Sequence, residues 1–183
     1  ILTRDSRTLA FSIYGDPHGT PVFFFHGTPG SRLFHPPDEI TSRVGVKLIC
    51  VDRPGYGNST FQTGRRILDW PEDIVQIADN LGLDTFAVAG HSGGGPYALA
   101  CAHRLSDRIS LAATLAGAGP VGATNATNGI TLMNKLGFKY GRYLPWMISR
   151  ALTWLLFRER SADPAKAMSR HTGHRPLPDE GLI

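Results

Sequence analysis

The strongest constraint on how this chain folds is a glycine-rich turn set between an apolar run and a helix pattern. The run from Thr85 to Ala89 leads directly into Gly90-His91-Ser92-Gly93-Gly94, and a helix pattern begins at Pro96. A serine at the tip of so sharp a turn adopts strained backbone angles, so its neighbours must lack bulk. We therefore expect a strand, a tight turn and a helix, with the two outer glycines avoiding a collision. The alternative is an ordinary glycine-rich turn.

The first 120 residues alternate short apolar runs with helix patterns. The predicted strands are Pro21 to Phe25, Lys47 to Val51, Thr85 to Ala89 and Ile109 to Leu115. The predicted helices are a short, interrupted one within Ser31 to Val44, then Asp69 to Asn80 and Pro96 to Leu105. This alternation is typical of an α/β fold in which a doubly wound, mostly parallel sheet is covered by helices on both faces.

Two local features refine this prediction. The alternating segment from Leu2 to Tyr14, followed by a turn at Asp16-Pro17-His18-Gly19, predicts an antiparallel hairpin at an edge of the sheet. Asp69 and Glu72 have the spacing of a capping box at the start of a helix.

In parallel sheets of this kind the active site lies beyond the carboxyl ends of the strands. The loops after Phe25, Val51, Ala89 and Leu115 are therefore the informative ones.

The pattern changes after Pro120. A linker rich in glycine, asparagine and threonine leads to three predicted helices, which are Ile130 to Leu136, Tyr143 to Phe157 and Asp163 to Arg170. We therefore predict two domains: an α/β core over residues 1–120, and a helical cap with a tail over residues 121–183. The second region holds nine Lys or Arg against four Asp or Glu, which accounts for the net charge of +4. This excess indicates a solvated helical surface or, alternatively, attraction to acidic substrates or an anionic membrane.

Composition excludes several classes of protein. At 42% hydrophobic and 19% charged residues the chain is globular. We expect no transmembrane segment and no nucleic-acid partner, because apolar runs are short and basic residues do not alternate with aromatic ones. The two cysteines read as core residues in a reducing compartment, and no export leader is recognised, so a cytoplasmic location is expected. No metal site or cofactor is indicated.

Taken together, four stretches resemble a known family. These are His26-Gly27-Thr28-Pro29, then Asp52-Arg53-Pro54-Gly55-Tyr56-Gly57-Asn58-Ser59, then the Gly90 to Gly94 turn, and a cap after the strand that ends near Gly117. The chain resembles the α/β-hydrolase fold superfamily, in its capped branch, and is similar to epoxide hydrolases, proline iminopeptidases and small esterases. The resemblance implies an α/β-hydrolase core followed by a helical cap, with the fold truncated after that cap.

The resemblance also implies catalytic roles. Ser92 is expected to be the nucleophile, and the backbone N–H groups of Gly93 and Thr28 are expected to form the oxyanion hole. It further implies a cis peptide bond before Pro29. A serine at position 92 argues against the epoxide hydrolase and dehalogenase branches, which attack with aspartate.

The residues expected to contact the substrate are His26, Gly27, His35, Trp146 and Trp154. For His26 the alternative is a structural, hydrogen-bonding role beneath its loop, and for His35 it is a surface position. His91 is expected to point away from Ser92. Asp52 and Arg53 are expected to brace their own loop.

The acid and the histidine that complete such a triad are not found. In the family both follow the cap, and no Asp or Glu directly follows the strand Ile109 to Leu115. His171 and His174 are expected at the surface, with an improvised base as the alternative. We therefore expect the 183 residues to be the amino-terminal portion of a longer enzyme, completed by a missing carboxyl-terminal segment or a second chain. The last strand of the core would then be an exposed edge.

These observations favour a serine hydrolase that cleaves an ester, amide or related acyl bond of a small-molecule substrate through an acyl-enzyme on Ser92. One alternative is a catalytically incomplete binding or signalling module on the same fold. Another is a peripheral membrane protein that uses the helix from Tyr143 to Phe157 as an anchor, with Arg150, Arg158 and Arg160 facing anionic lipid.

Overall fold

The computed structural model describes residues 1–119, together with Arg150 and Trp154. The chain divides into two compact units, Ile1–Pro120 and Val121–Ile183. Arg150 and Trp154 are helical and exposed. The remaining residues of the predicted cap helices, Trp146 among them, lie outside the described residues. In the part of the chain that is described, no helix is both long and apolar enough to cross a lipid bilayer.

A five-stranded sheet forms the centre of the first unit. Its strands are β1 (Phe11–Gly15), β2 (Thr20–Phe25), β3 (Val46–Val51), β4 (Phe86–His91) and β5 (Ile109–Leu115). The strand order is β1-β3-β2-β4-β5. Strand β2 pairs in parallel with β3 and β4, β4 pairs in parallel with β5, and only β1 is antiparallel. This confirms the α/β fold with a mostly parallel sheet.

Within residues 1–119 three helices accompany the sheet, and they are α1 (Asp38–Arg43), α2 (Trp70–Asn80) and α3 (Gly95–Arg104). Because successive side chains of a strand point to opposite faces, β2 divides its phenylalanines between two cores. Phe23 and Phe25 join α2 and α3 in the larger core, where Trp70 packs edge-on against Phe25. Phe24 joins a smaller core with Leu48 and Cys50. The apolar run at β2 is thus buried from both sides, as its composition predicts.

The predicted amino-terminal hairpin is wrong in its pairing. Strand β1 is antiparallel and lies at an edge, but its partner is β3 and not the next strand in sequence. The physical reason is that β2 is apolar from Pro21 to Phe25, so it takes a central position with a parallel neighbour on each side. The alternating strand β1 is left for the edge, and Leu2 makes only an isolated bridge to Thr8.

Two helix predictions also need correction. The interrupted helix expected within Ser31 to Val44 is reduced to α1, because its first half forms a loop. The expected capping box at α2 is absent: the Asp69 carboxylate accepts a hydrogen bond from the Arg66 N–H at 2.8 Å, and no side chain caps α2. Asp69 instead closes a 3-10 turn, Ile67–Asp69, that precedes the helix.

Candidate active site

Ser92 lies at the junction of β4 and α3. Strand β4 ends at His91, a 3-10 turn spans Ser92–Gly94, and α3 starts at the next residue. Ser92 has a φ of +50°, a left-handed conformation that is uncommon for a residue with a side chain. Ser92 is partly exposed. The strand, the sharp turn and the helix thus form as the sequence predicts.

The two outer glycines of the turn are required by close backbone contacts. A Cβ atom on Gly90 would lie 2.3 Å from the carbonyl oxygen of Gly94. A Cβ atom on Gly94 would lie 2.1 Å from the carbonyl oxygen of Phe25, at the end of β2. Both distances are far inside van der Waals contact, so the prediction that these positions need glycine is confirmed.

The loop after β2 approaches this turn closely. The Thr28–Pro29 peptide bond is cis, as the resemblance implies. A Cβ atom on Gly93 would lie 2.6 Å from Thr28 Oγ1 and 3.4 Å from the Thr28 nitrogen. A Cβ atom on Gly27 would lie 3.3 Å from Ser92 Cβ. Glycines at positions 27 and 93 therefore let the two loops meet beside the serine, which brings Thr28 and Gly93 together.

Arg53 connects these two loops, and this is the contact that sequence reasoning missed. Its Nη2 donates to the Gly27 carbonyl at 2.9 Å and to Thr28 Oγ1 at 2.8 Å. Its Nη1 donates to the Gly93 carbonyl at 3.3 Å. The side chain is only 4% exposed, and its guanidinium lies between the rings of Tyr56 and Tyr97, 4.7 Å from each centroid. The signal in the sequence is that Arg53 is the second of two charged residues that follow the apolar strand β3.

His26 lies beneath the loop and is 1% exposed, so its ring does not face a substrate. Its Nδ1 lies 2.8 Å from the Gly27 carbonyl, and its Nε2 accepts the Arg53 backbone N–H at 3.4 Å. Burial is the main cause that lowers the pKa of His26, and the Arg53 charge lowers it further. These contacts favour a neutral imidazole that donates through Nδ1, and they favour the structural alternative for this residue.

The other candidate histidines face different neighbours. The ring of His35 stacks on Tyr14 of β1, with centroids 3.5 Å apart, so this contact ties it to the edge strand. His91 packs against Phe34 at 5.4 Å. Its Nδ1 is buried and has no hydrogen-bond partner. Neither ring hydrogen-bonds Ser92.

Asp52 anchors the loop that carries Arg53. Its carboxylate is fully buried, pairs with the Arg32 guanidinium, and accepts backbone N–H groups from Arg32 at 2.6 Å and Asn58 at 3.0 Å. A Cβ atom on Gly57 would lie 2.0 Å from this carboxylate, which explains the glycine there. Asp52 therefore braces its own loop through Asn58, as expected, and also ties it to the loop after β2 through Arg32, whereas Arg53 braces the loops of Thr28 and Gly93.

The base and acid expected beside a nucleophilic serine are not seen among residues 1–119. No histidine or carboxylate in that range hydrogen-bonds the Ser92 hydroxyl. No group of three His, Cys, Asp or Glu side chains in the described part of the chain is arranged to hold a metal ion. His171, His174 and Trp146 lie outside the described residues, and of the aromatic cap candidates only Trp154 is described.

A mostly parallel sheet with a strained serine between a strand and a helix, facing the loop of a neighbouring strand, defines the class of α/β-hydrolase folds. A family model described as alpha/beta hydrolase fold matches residues 20–145. The chain belongs to this family.

Relatives of known type support this assignment. A proline iminopeptidase of Xanthomonas citri is 35% identical over 107 residues, which cover 54% of this chain and 32% of the relative. An esterase from Exiguobacterium antarcticum matches in structure with a TM-score of 0.58 and 27% identity, covering 68% of this chain and 47% of that one. A thermophilic esterase from Thermogutta terrifontis matches with a TM-score of 0.57 and 25% identity, covering 81% and 54%. The chain spans about a third of the length of the curated relative.

Proposed function

We propose that this protein is a serine hydrolase that cleaves an ester or amide bond through an acyl-enzyme on Ser92. The observation that carries the proposal is the strained, partly exposed Ser92 beside the backbone of Thr28 and Gly93. Strain of about 1–3 kcal/mol at one residue is characteristic of functional sites. A cysteine nucleophile fits poorly, because burial raises the pKa of both Cys50 and Cys101 to about 12.

The proposed step begins when Ser92 Oγ bonds to the substrate carbonyl carbon and its proton passes to a base. The carbonyl electron pair moves to oxygen, where the N–H groups of Thr28 and Gly93 would stabilise the negative charge. The bond to the leaving alcohol or amine then breaks, and the leaving group takes the proton. Water then attacks the carbonyl carbon of the acyl-enzyme by the same steps, which releases the carboxylic acid and regenerates Ser92.

A histidine and an acid from outside the described residues would complete the triad. Two facts support this proposal: no described histidine contacts the Ser92 hydroxyl, and the chain spans about a third of a related iminopeptidase. A serine without its base is a weak nucleophile, so we expect activity only where such a histidine and acid reach Ser92. The free, buried Cys50 and Cys101 fit the proposed cytoplasmic location.

The relatives are named as proline iminopeptidases and esterases, and these names support two candidate substrate classes for this protein. We propose a small substrate with either an acyl ester or an amino-terminal proline amide. Hydrolysis of p-nitrophenyl acetate and of proline p-nitroanilide by the complete gene product separates the two.

The nucleophile is tested with a fluorophosphonate probe on the complete gene product. We expect stoichiometric labelling of the native protein and complete loss of labelling and hydrolysis in Ser92→Ala. The matched control is Ser6→Ala, because Ser6 is an exposed serine that also has a positive φ, of +62°. An unlabelled native protein, or a labelled Ser92→Ala variant, would contradict the proposal and favour a binding module on the same fold.

A further inference from the structure

We propose that Arg53 is the positioning residue of the oxyanion hole: its guanidinium fixes the Gly27–Thr28 peptide and joins it to the loop of Ser92. This inference rests on the proposed function of Ser92. It differs from the expectation that Arg53 only braces its own loop, since its side-chain hydrogen bonds reach two other loops.

The first step is the geometry of one peptide group. The Gly27 carbonyl and the Thr28 N–H belong to the same planar peptide, and in a trans peptide these two groups point in opposite directions. Arg53 Nη2 donates to that carbonyl at 2.9 Å, and His26 Nδ1 lies 2.8 Å from it. A carbonyl held by two donors cannot rotate freely, so the Thr28 N–H is held on the opposite side. These two contacts to the Gly27 carbonyl thus fix the direction of the Thr28 N–H, which is one of the two proposed oxyanion donors.

The second step is the link to the other donor. The same guanidinium donates through Nη1 to the Gly93 carbonyl at 3.3 Å, and through Nη2 to Thr28 Oγ1 at 2.8 Å. The fork of one planar group therefore fixes the separation of Thr28 and Gly93, which come from loops far apart in the sequence. A lysine has one compact ammonium group and cannot reproduce this fork.

The third step is the free-energy cost of burying the Arg53 guanidinium. Arg53 is 4% exposed and, among the ion pairs of the described residues, it has no carboxylate partner. Burial of a charge without a counter-ion is costly, and here two carbonyls, a hydroxyl and the faces of Tyr56 and Tyr97 offset it. This positive charge contacts both residues whose N–H groups would bind the oxyanion, through Thr28 Oγ1 and the Gly93 carbonyl.

The test compares Arg53→Met and Arg53→Lys with native protein, using the complete gene product. We expect both variants to react with a fluorophosphonate about 100-fold more slowly, the loss typical of removing one oxyanion donor. With p-nitrophenyl acetate, kcat should fall by a similar factor while KM changes less than about twofold, because the donors act chiefly in the transition state. Labelling or kcat within about twofold of native in both variants would overturn the inference.

The matched control is Arg108→Met. Arg108 also holds backbone carbonyls, those of Leu83 and Asp84, but it does so beside the start of β5, at the end of the sheet opposite Ser92. Its loss should lower the thermal midpoint without changing kcat. If Arg53→Met behaves in the same way, its role is only structural and the inference fails.

A crystal structure of Arg53→Met separates this inference from the proposed function. If native protein is not labelled at all, the proposed function fails, and the orientation of the Gly27–Thr28 peptide still decides the role of Arg53. We expect this peptide to rotate in the variant and the Thr28 N–H to turn from Ser92. An unchanged peptide would overturn the inference whatever the activity.

Discussion

His26 shows how one buried side chain couples the candidate site to pH. Its ring is enclosed, with Nδ1 against the Gly27 carbonyl and Nε2 accepting the Arg53 backbone N–H. Protonation would place a charge in a low-dielectric environment next to the Arg53 guanidinium, and it would convert the accepting nitrogen into a donor. This is why the pKa of His26 is lowered, with burial as the leading cause and the nearby Asp52 charge opposing it.

This shift predicts a loss of stability in acid. A histidine whose pKa is lowered by folding binds its proton more readily in the unfolded chain. The free energy of unfolding therefore falls as pH drops below about 6.5, the ordinary value, by at most about 1.4 kcal/mol per pH unit, and it levels off below the folded value. Urea unfolding at several pH values between 7.5 and 5 measures this slope.

The variant His26→Gln isolates the contribution of this ring. Its dependence on pH should be shallower than that of the native protein over the same range. The exposed His103 provides the control, since His103→Gln should leave the slope unchanged. Equal slopes in His26→Gln and native protein would rule out His26 as the source.

At the scale of the elements, helix α2 is held to the amino-terminal segment by a buried carboxylate. Asp73 is 1% exposed and pairs with Arg7 and Arg65, each at 2.7 Å. The hydrogen bond to Asp73 is the first cause of the raised pKa of Arg7. Removing one partner of a buried pair leaves an uncompensated charge, which costs more than the pair itself contributes.

We expect Asp73→Asn to lower the free energy of unfolding by about 3 kcal/mol, because the largely buried Arg65 loses its carboxylate partner and Arg7 keeps only the exposed Asp5. Asp79 on the same helix is the matched control. It pairs with Arg108 at 3.0 Å but is nearly half exposed, so Asp79→Asn should cost less than about 1 kcal/mol. Urea midpoints of both variants measure the difference in stability. Equal losses of unfolding free energy would show that the burial of Asp73 does not make its ion pairs more important than that of Asp79.

At the scale of the whole molecule, β5 is the last strand of the sheet that residues 1–119 form, and its sequence is apolar. It pairs with β4 on one side, and among the described residues no strand pairs with its other side. Leu111 and Leu115 are 67% and 49% exposed. Unpaired backbone groups next to apolar side chains are a template for association with another chain.

The 183-residue chain by itself should therefore self-associate. Sedimentation velocity at increasing concentration measures this, and Leu111→Lys should suppress it by placing a charge at the strand edge. The control is Leu33→Lys, because Leu33 is equally exposed, at 66%, but lies in the loop before α1. A chain that stays monomeric at high concentration, or equal effects of the two variants, would contradict a role for the β5 edge.

Several features of the site were predictable because they depend on neighbouring residues. The need for glycine at position 90 arises within the turn, from the carbonyl of Gly94, and the cis bond before Pro29 followed from the resemblance, whereas the need for glycine at position 94 comes from the distant Phe25 carbonyl. The pairing of β1 was not predictable from its own alternation, because it depends on β2 taking a central place. The capping role expected for Asp69 failed for a similar reason, since its carboxylate turned to Arg66 instead.

The sequence by itself determined the alternation of strands and helices, the family, and the strained serine, because periodicity and local backbone sterics act between residues close in the chain. Only the tertiary structure decided the strand order and the role of Arg53. Its hydrogen bonds join residues 26 and 40 positions apart, to Gly27 and Gly93. Such contacts depend on how the loops at the ends of β2, β3 and β4 converge in space, and no local pattern of residues specifies that.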